Sequence, residues 1–330
     1  MSLETQISPL QAAILRELLV DGRKSVADMA RRIGASKESA QKNYLEMKQS
    51  GVIQGATIHF NYRGFGYFAV AYMLVTVDPN QVHQMIDEVG KMQDIYAIYK
   101  SGAMGNVRVV ASIKNLGQLD EIKDALKQRY SISSFKTVMW TDVKEMHQNL
   151  LLAPNDERPE KEGADGSKRL IAKRSRTKVK FDEVDLKVVD ALSADGLASF
   201  SKIAEKIGVS CISVKKRYEK LTKSGMIKVT IQINPSKIGY NALAVFFVTF
   251  THQIDSSSIV EKISQIPDVI SIMKTSGDYD LQVYVMIRDI NQLLKVQDEF
   301  AEIQGIAKTE MDIGGVLEKW PTPRQYISTF

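Results

Sequence analysis

Cysteine is nearly absent. Cys211 stands alone in 330 residues, so there is no intrachain disulfide framework and no CxxC pair of the kind that holds structural zinc. Histidine is equally sparse: His59, His83, His147 and His252 lie far apart and form no HxxxH pair. The expectation is therefore no metal and no redox cofactor. Long apolar runs are missing as well. A run such as Ala242 to Phe250 falls far short of the roughly 20 residues of a spanning helix, and the first residues lack the basic-then-apolar order of a secretion signal. These absences lead to the expectation of a cytoplasmic protein with no membrane partner. What is present, 44% hydrophobic and 25% charged residues, suits a globular chain with several small cores.

The chain also states one pattern twice. Displaced by 174 positions, Asp21, Gly22, Ser25, Ala30, Ile33, Gly34, Ser36, Ser39, Tyr44, Ser50, Gly51 and Ile53 meet the same residue types at Asp195 through Ile227. One deleted residue makes the offset 173, and Thr57, Ile58, Asn61, Gly66 and Tyr67 then match Thr230, Ile231, Asn234, Gly239 and Tyr240. A repeat of about 150 residues is no solenoid unit; each copy is long enough to hold self-sufficient domains.

Within each copy, helical spacing comes first. Ser8-Pro9 is a start signal for a helix carrying Leu10, Ile14, Leu15 and Leu18 up to Asp21-Gly22; a short helix from Ser25 follows, and Gly34-Ala35-Ser36 turns into a third reaching Ser50-Gly51. The second copy repeats this with Val184 to Leu192, Phe200 to Ile207, the turn Gly208-Val209-Ser210, and a helix from Cys211 to Ser224. Two helices across a three-residue turn followed by a basic helix read as helix-turn-helix. A small residue filling the first turn is the expected role of Cys211.

The period then changes to alternation, giving a connecting strand and a strand-helix-strand-strand-helix-strand series in each copy. The first runs Phe68 to Val77, Asn80 to Lys91, Ile95 to Ser101, Val107 to Ile113, Leu116 to Arg129 and Phe135 to Thr141. The second runs Leu243 to Thr251, Ser256 to Gln265, Val269 to Ser276, Leu281 to Ile287, Ile290 to Glu302 and Ile306 to Ile313. This is the ferredoxin-like order. Residues 154–180 are polar and aperiodic, a linker expected to span roughly 30 Å as a flexible coil.

Charge is unevenly shared. The net +5 divides into +2 for residues 1–55, +1 for 56–153, +4 for 154–180, +2 for 181–231 and −4 for 232–330. A polyanion is thus expected to meet the helical heads and the linker rather than the acidic end.

A helix-turn-helix headpiece, a linking strand and a βαββαβ domain, in that order, resemble the leucine-responsive regulator/AsnC (Lrp/AsnC) family of transcription factors. The most specific pieces are Ile207-Gly208-Val209-Ser210, the run Val214 to Leu221, Ser224-Gly225-Met226-Ile227, and the loop Gly277-Asp278-Tyr279-Asp280. The fold expected is α+β: a tandem duplication of a winged-helix-like helix-turn-helix domain followed by a ferredoxin-like (RAM) domain. The boundaries are 1–55 and 56–153 for the first unit, 154–180 for the linker, and 181–231 and 232–330 for the second. The resemblance implies a sequence-specific regulator that binds double-stranded DNA, with an amino-acid effector and an oligomerising C-terminal domain. Such a protein would be nucleoid-associated. Family members pair as dimers; here both halves lie in one chain, an intrachain pseudo-dimer open to further homo-oligomerisation.

The site residues follow from helix geometry. On the third helix of the second copy, Val214, Tyr218 and Leu221 share an inward face. Ser210, Ile212, Ser213 and Lys216 are candidates for base edges, and Lys215, Arg217, Lys220 and Lys223 for phosphate, with a local ion pair as the other reading of Arg217. In the first copy Ala40, Tyr44 and Met47 point inward, leaving Ser36, Lys37, Gln41 and Lys42 as DNA candidates; Gln41 suits adenine and Lys42 guanine. Linker residues Arg169, Lys173, Arg174, Arg176 and Lys178 are candidate phosphate contacts. The resemblance further implies Asp278 and Asp280 as acceptors of an effector amine and Tyr279 as its cover, with Gly277 opening the loop.

The first copy departs here. It has Asn43 opposite Arg217 and Gly102-Ala103-Met104-Gly105 opposite the Gly-Asp-Tyr-Asp loop, which removes both acids. Two other functions fit parts of the pattern. An architectural DNA-bridging protein would also use basic linkers and twin heads. Siroheme decarboxylases resemble the plan in fold, but the strands Ile95 to Ser101 and Val269 to Ser276 carry neither His nor Arg; the expectation is no catalytic residue and no enzyme.

Overall fold

The computed structural model describes residues 7–92, 94–102, 104–152, 181–251 and 256–322. Its first head is α1 (Pro9–Val20), α2 (Val26–Arg32) and α3 (Lys37–Gln49); its second is α6 (Glu183–Ala194), α7 (Phe200–Ile207) and α8 (Cys211–Lys223). Local chemistry sets these helices. Ser8 and Gln11 form a reciprocal capping box around Pro9, Asp182 and Asp185 form another, and Ser25, Ser36, Ser199 and Ser210 each cap a helix through their side-chain oxygens. Gly34 and Gly208, at φ 67° and 73°, make the left-handed turns before α3 and α8.

After the heads come β1 (Ile53–Phe60) and β6 (Ile227–Ile233), which pair antiparallel with Thr57 opposite Thr230. Those two threonines are equivalent in the repeat, so the register is that of a local twofold through their pair. Each head packs on the other copy's strand. The Gly22 N–H donates to the Val229 carbonyl and the Gly196 N–H to the Ala56 carbonyl, both at 2.9 Å. Likewise the Thr57 hydroxyl donates to Ser193 O at 2.9 Å and the Thr230 hydroxyl to Leu19 O at 3.0 Å. A Cβ on Gly22 would lie 2.8 Å from the Thr230 carbonyl carbon, and one on Gly196 would lie 2.8 Å from Thr57 O. The repeated glycines are therefore required by close backbone approach.

The remaining strands form one eight-stranded sheet. They are β2 (Ala69–Val77), β3 (Ile95–Lys100), β4 (Val107–Ile113) and β5 (Ile132–Glu145), then β7 (Ala242–Phe250), β8 (Val269–Ser276), β9 (Leu281–Ile287) and β10 (Ile306–Gly315), in spatial order β10-β7-β9-β8-β5-β2-β4-β3. Each half has ferredoxin-like order, and β5 and β8 join the halves. Strand β5 runs past the predicted Thr141 because Asp142 to Glu145 pair with β8 after β2 has ended. The predicted helix from Asn80 starts later, at Val82, because Pro79–Gln81 forms a 3-10 turn capped by Asp78.

Alternation along the strands sorts the side chains. Ala71, Met73, Val75 and Val109 pack beneath α4 (Val82–Val89) and α5 (Leu116–Arg129), while Ala244, Phe246, Val248 and Val283 pack beneath α9 (Ser256–Ile263) and α10 (Ile290–Ala301). The other face brings both halves together: Tyr72, Leu74, Val138 and Trp140 share a core with Val245, Phe247, Met273 and Tyr284. Buried polar contacts cross between the halves. Trp140 Nε1 donates to Gln282 Oε1 at 2.6 Å, and Arg108 Nη2 lies 2.6 Å from Asp312 Oδ2.

Candidate nucleic-acid interface

On α8, Val214 and Leu221 are fully buried and Tyr218 is half-buried, as the helical period predicts. Ser210 accepts from the Ser213 N–H at 3.1 Å and so starts the helix beside the turn. Lys215 and Lys216 are exposed, and Ile212 is 68% exposed, a large apolar side chain held in solvent at the end of the helix nearest the turn. These residues form one continuous outward surface with Ser210.

Arg217 and Lys220 are turned to another task. Arg217 Nη1 donates to Asp182 Oδ1 at 2.6 Å and to Asp185 Oδ1 at 2.7 Å, and Lys220 Nζ donates to Asp185 Oδ2 at 2.7 Å. Of the two readings of Arg217 the ion pair is the observed one. Lys220, expected at phosphate, joins it. Burial opposes the charge on Asp185, but the hydrogen bonds from Lys220 and Arg217 outweigh it and hold this carboxyl below its usual range. The two cations thus bracket the first turn of α6 and orient α8 against it.

The first head lacks that bracket. Asn43 replaces Arg217 and its amide donates to Ser39 O of its own helix at 2.9 Å. Ala40 and Met47 are buried and Tyr44 half-buried, while Lys37 and Lys42 are exposed and Gln41 half-exposed on the outer side. Ser36 accepts from the Ser39 N–H at 3.1 Å.

One contact that sequence reasoning missed ties the heads together. Arg23, just after α1, donates through Nε to Gly196 O at 2.8 Å and through Nη2 to Ala198 O at 2.6 Å. Its guanidinium also stands 4.8 Å from the Phe200 ring centroid and 5.2 Å from that of Tyr218. The equivalent residue in the second unit is Leu197, so the clamp exists on one side alone. No local pattern announces it, because its partners lie one whole repeat away.

The loop Gly277–Asp280 is less open than expected. Tyr279 is buried, its ring 4.9 Å from Phe247, and its hydroxyl donates to Glu310 Oε2 at 2.7 Å while accepting from Lys136 Nζ at 2.6 Å. Asp280 Oδ2 accepts from the Phe250 N–H at 2.7 Å, and exposed Asp278 lies 3.5 Å from Lys136 Nζ. Asp280 and Tyr279 are thus committed to the fold, and an ammonium from the other unit stands where the resemblance implies an effector amine. The linker candidates Arg169, Lys173, Arg174, Arg176 and Lys178 lie outside the described residues. His59 and His147, far apart in sequence and in no HxxxH pair, meet Glu145 in one cluster.

Comparison with known proteins adds the following. The model of the AsnC-type helix-turn-helix domain matches residues 181–222, and that of the Lrp/AsnC ligand binding domain matches residues 243–313. An HTH-type transcriptional regulator of Pyrococcus horikoshii is 31% identical over 151 residues, which are 45% of this chain and 95% of that protein. The HTH-type transcriptional regulator LysM of Saccharolobus solfataricus is 34% identical over 141 residues, 42% of this chain and 96% of LysM. Among solved structures, the siroheme decarboxylase NirDL superposes with a TM-score of 0.59 at 11% identity, covering 97% of this chain and 94% of that one. At that identity the likeness is one of fold.

Proposed function

The chain belongs to the Lrp/AsnC family and is a DNA-binding transcriptional regulator; from that premise we propose that its two tandem units act as a built-in heterodimer reading a DNA site with two unlike halves. The observation carrying this reading is the pairing of β1 with β6 about Thr57 and Thr230, which joins two heads with different outer faces in one chain. The second head presents Ser210, Ile212, Ser213, Lys215 and Lys216; the first presents Ser36, Lys37, Gln41 and Lys42. Arg217 and Lys220 support α8 from behind, and the linker arginines and lysines add phosphate contacts. Binding-site selection from random DNA is the test. An asymmetric motif is expected, and recovery of a perfect palindrome bound by one chain overturns the proposal. A ratio of specific to random-DNA affinity near unity would instead indicate the architectural role.

The same reading treats the protein as a regulator and not an enzyme. The cavity between the two halves of the sheet, lined by Tyr96, Tyr99, Trp140 and Tyr284, measures ≈ 80 Å³, small beside the 300 Å³ or so of even a modest ligand pocket. It supports no tetrapyrrole-sized substrate of the kind NirDL's name implies for that enzyme. An amino-acid effector at Asp278 would compete with Lys136, and calorimetric titration with the standard amino acids, run on the natural chain and on Lys136→Met, measures that competition. We further read the chain as a cytoplasmic, nucleoid-associated protein; no helix among the described residues is long and apolar enough to cross a membrane.

A further inference from the structure

His59, Glu145 and His147 come from three elements. His59 stands on β1 opposite Lys228, Glu145 ends β5 opposite Ser271, and His147 opens the 3-10 turn His147–Asn149. One donor atom from each lies within 4.8 Å of the others, and His59 Nδ1 is 2.8 Å from Glu145 Oε2. The imidazoles meet edge to face with centroids 5.1 Å apart, and Trp320 closes over His147 at 4.5 Å. The side chains of His59 and Glu145 are 0% and 9% exposed, and His147 is 4% exposed.

Four polar atoms in this buried cluster, His59 Nδ1 and Nε2, Glu145 Oε1 and His147 Nε2, have no aligned hydrogen-bond partner. Native interiors hold few such atoms, and a concentration of them in one place calls for a ligand. We propose that His59, Glu145 and His147 form a binding site for one borderline divalent cation of the zinc or cobalt type. Tetrahedral coordination at 2.0 to 2.2 Å places donor atoms about 3.4 Å apart, between the closest and widest separations of this cluster. Two imidazoles with one carboxylate favour such a metal over magnesium or calcium, which take oxygen ligands. Three protein ligands leave a fourth position, and Glu145 and Trp320 also line the cavity between the sheet halves, giving a solvent molecule access.

The repeat supplies an internal control. The second unit has Gln232 for His59 at offset 173 and, at the offset of 174 that aligns β5 with β10, Lys319 for Glu145 and Pro321 for His147. There the Gln232 amide is satisfied, donating to Pro321 O at 2.8 Å. Only the first unit carries the donor set. Lys228 bears positive charge toward both Glu145 and His147, so a bound cation competes with it.

The test uses the full chain, stripped with chelator and titrated with cobalt(II), then zinc(II), reading the cobalt visible bands and metal content per chain. One ion per chain is expected, with zinc displacing cobalt. His59→Gln, which installs the residue already tolerated at position 232, should weaken cobalt at least 100-fold, as should His147→Gln. Lys228→Met should tighten it several-fold, and His83→Gln, on the exposed face of α4, should change nothing. Circular dichroism checks that each variant is folded. If any fails, the natural chain and Lys228→Met still decide the matter. No cobalt bands for the natural chain at 1:1 metal, or affinity in His59→Gln and His147→Gln equal to the natural chain, overturns the site. DNA binding enters none of these readouts, so the regulator proposal stands or falls separately.

Discussion

Asp312→Ala is the perturbation whose size the structure sets most directly. Strands β3 and β10 are the two edges of the sheet, and side chains of the first unit reach Asp312 on β10: Arg108 of β4 at 2.6 Å, and the hydroxyl of Ser101, just past β3, on the same carboxylate at 2.7 and 2.6 Å. The Arg108 side chain is 0% exposed and that of Asp312 is 3% exposed. Removing the carboxylate leaves a guanidinium in an apolar core with no counter-charge, at a cost of about 3–5 kcal/mol. At ~1.4 kcal/mol per decade, the unfolding constant rises by two to four powers of ten. The pair itself is not expected to be a large net stabiliser. Replacing both partners, Arg108→Met with Asp312→Leu, should recover the loss and reach or exceed natural stability by up to about 4 kcal/mol. Urea unfolding measures this, with Trp140 fluorescence as reporter because its indole spans the two units through Gln282. A single variant costing under about 1 kcal/mol, or a double variant as unstable as the single, would refute the reasoning.

The ion bracket of the second head makes it acid-sensitive. Hydrogen bonds from Arg217 depress Asp182, and those from Lys220 and Arg217, overcoming burial, depress Asp185. Carboxyls lower in the folded than the unfolded state stabilise above the unfolded value near ~3.9 and lose that contribution as pH falls through the folded value. Head two should therefore loosen below about pH 4 in amide-exchange measurements, and Arg217→Met, which leaves Lys220 on Asp185, should weaken the pH dependence; an unchanged profile refutes it. In DNA binding, Lys215→Ala should lower the slope of log K against log salt by ~0.9, whereas Arg217→Met should leave the slope unaltered; equal slope losses would mean Arg217 does reach phosphate. Gly196→Ala, whose Cβ would stand 2.8 Å from Thr57 O, should destabilise by about 1–3 kcal/mol, and a melting temperature equal to the natural chain's would contradict the close approach.

What could be read from the sequence was what local chemistry decides. Ser8-Pro9, Ser36 and Ser210 start helices through their own hydroxyls and ring, so α1, α3 and α8 were legible, as was the buried stripe of Val214 and Leu221. Strands β4, β8 and β9 match their alternation. The failures share one cause. Strand β5 is lengthened by a partner in the other unit, Lys220 is claimed by Asp185 on α6, and Tyr279 is sealed by Lys136 and Phe247. His59 and His147 meet only because β1 and the turn after β5 converge. Each depends on which elements pack together, and periodicity within one segment carries no information on that.

The divergence between copies makes physical sense once the units pair in one chain. Arg108 and Gln282 are equivalent at offset 174, and both are fully buried. Each reaches across to the other unit, where it finds a different partner, Asp312 or Trp140. By register, Asp312 opposes Val245 on β7, and the residue in its place on β5, opposing Tyr72, is Val138. Pairing two first units would therefore set Arg108 against Val138 and bury a guanidinium without a carboxylate. Pairing two second units would set Gln282 against Gly314, the counterpart of Trp140, and forfeit the indole hydrogen bond. Self-pairing of either unit is penalised by an unmet polar group, while first-with-second pairing gives Arg108 a carboxylate and the Trp140 indole an acceptor. That is specificity written by the cost of the wrong partner as much as by attraction to the right one. It frees the surfaces of the two heads from having to match.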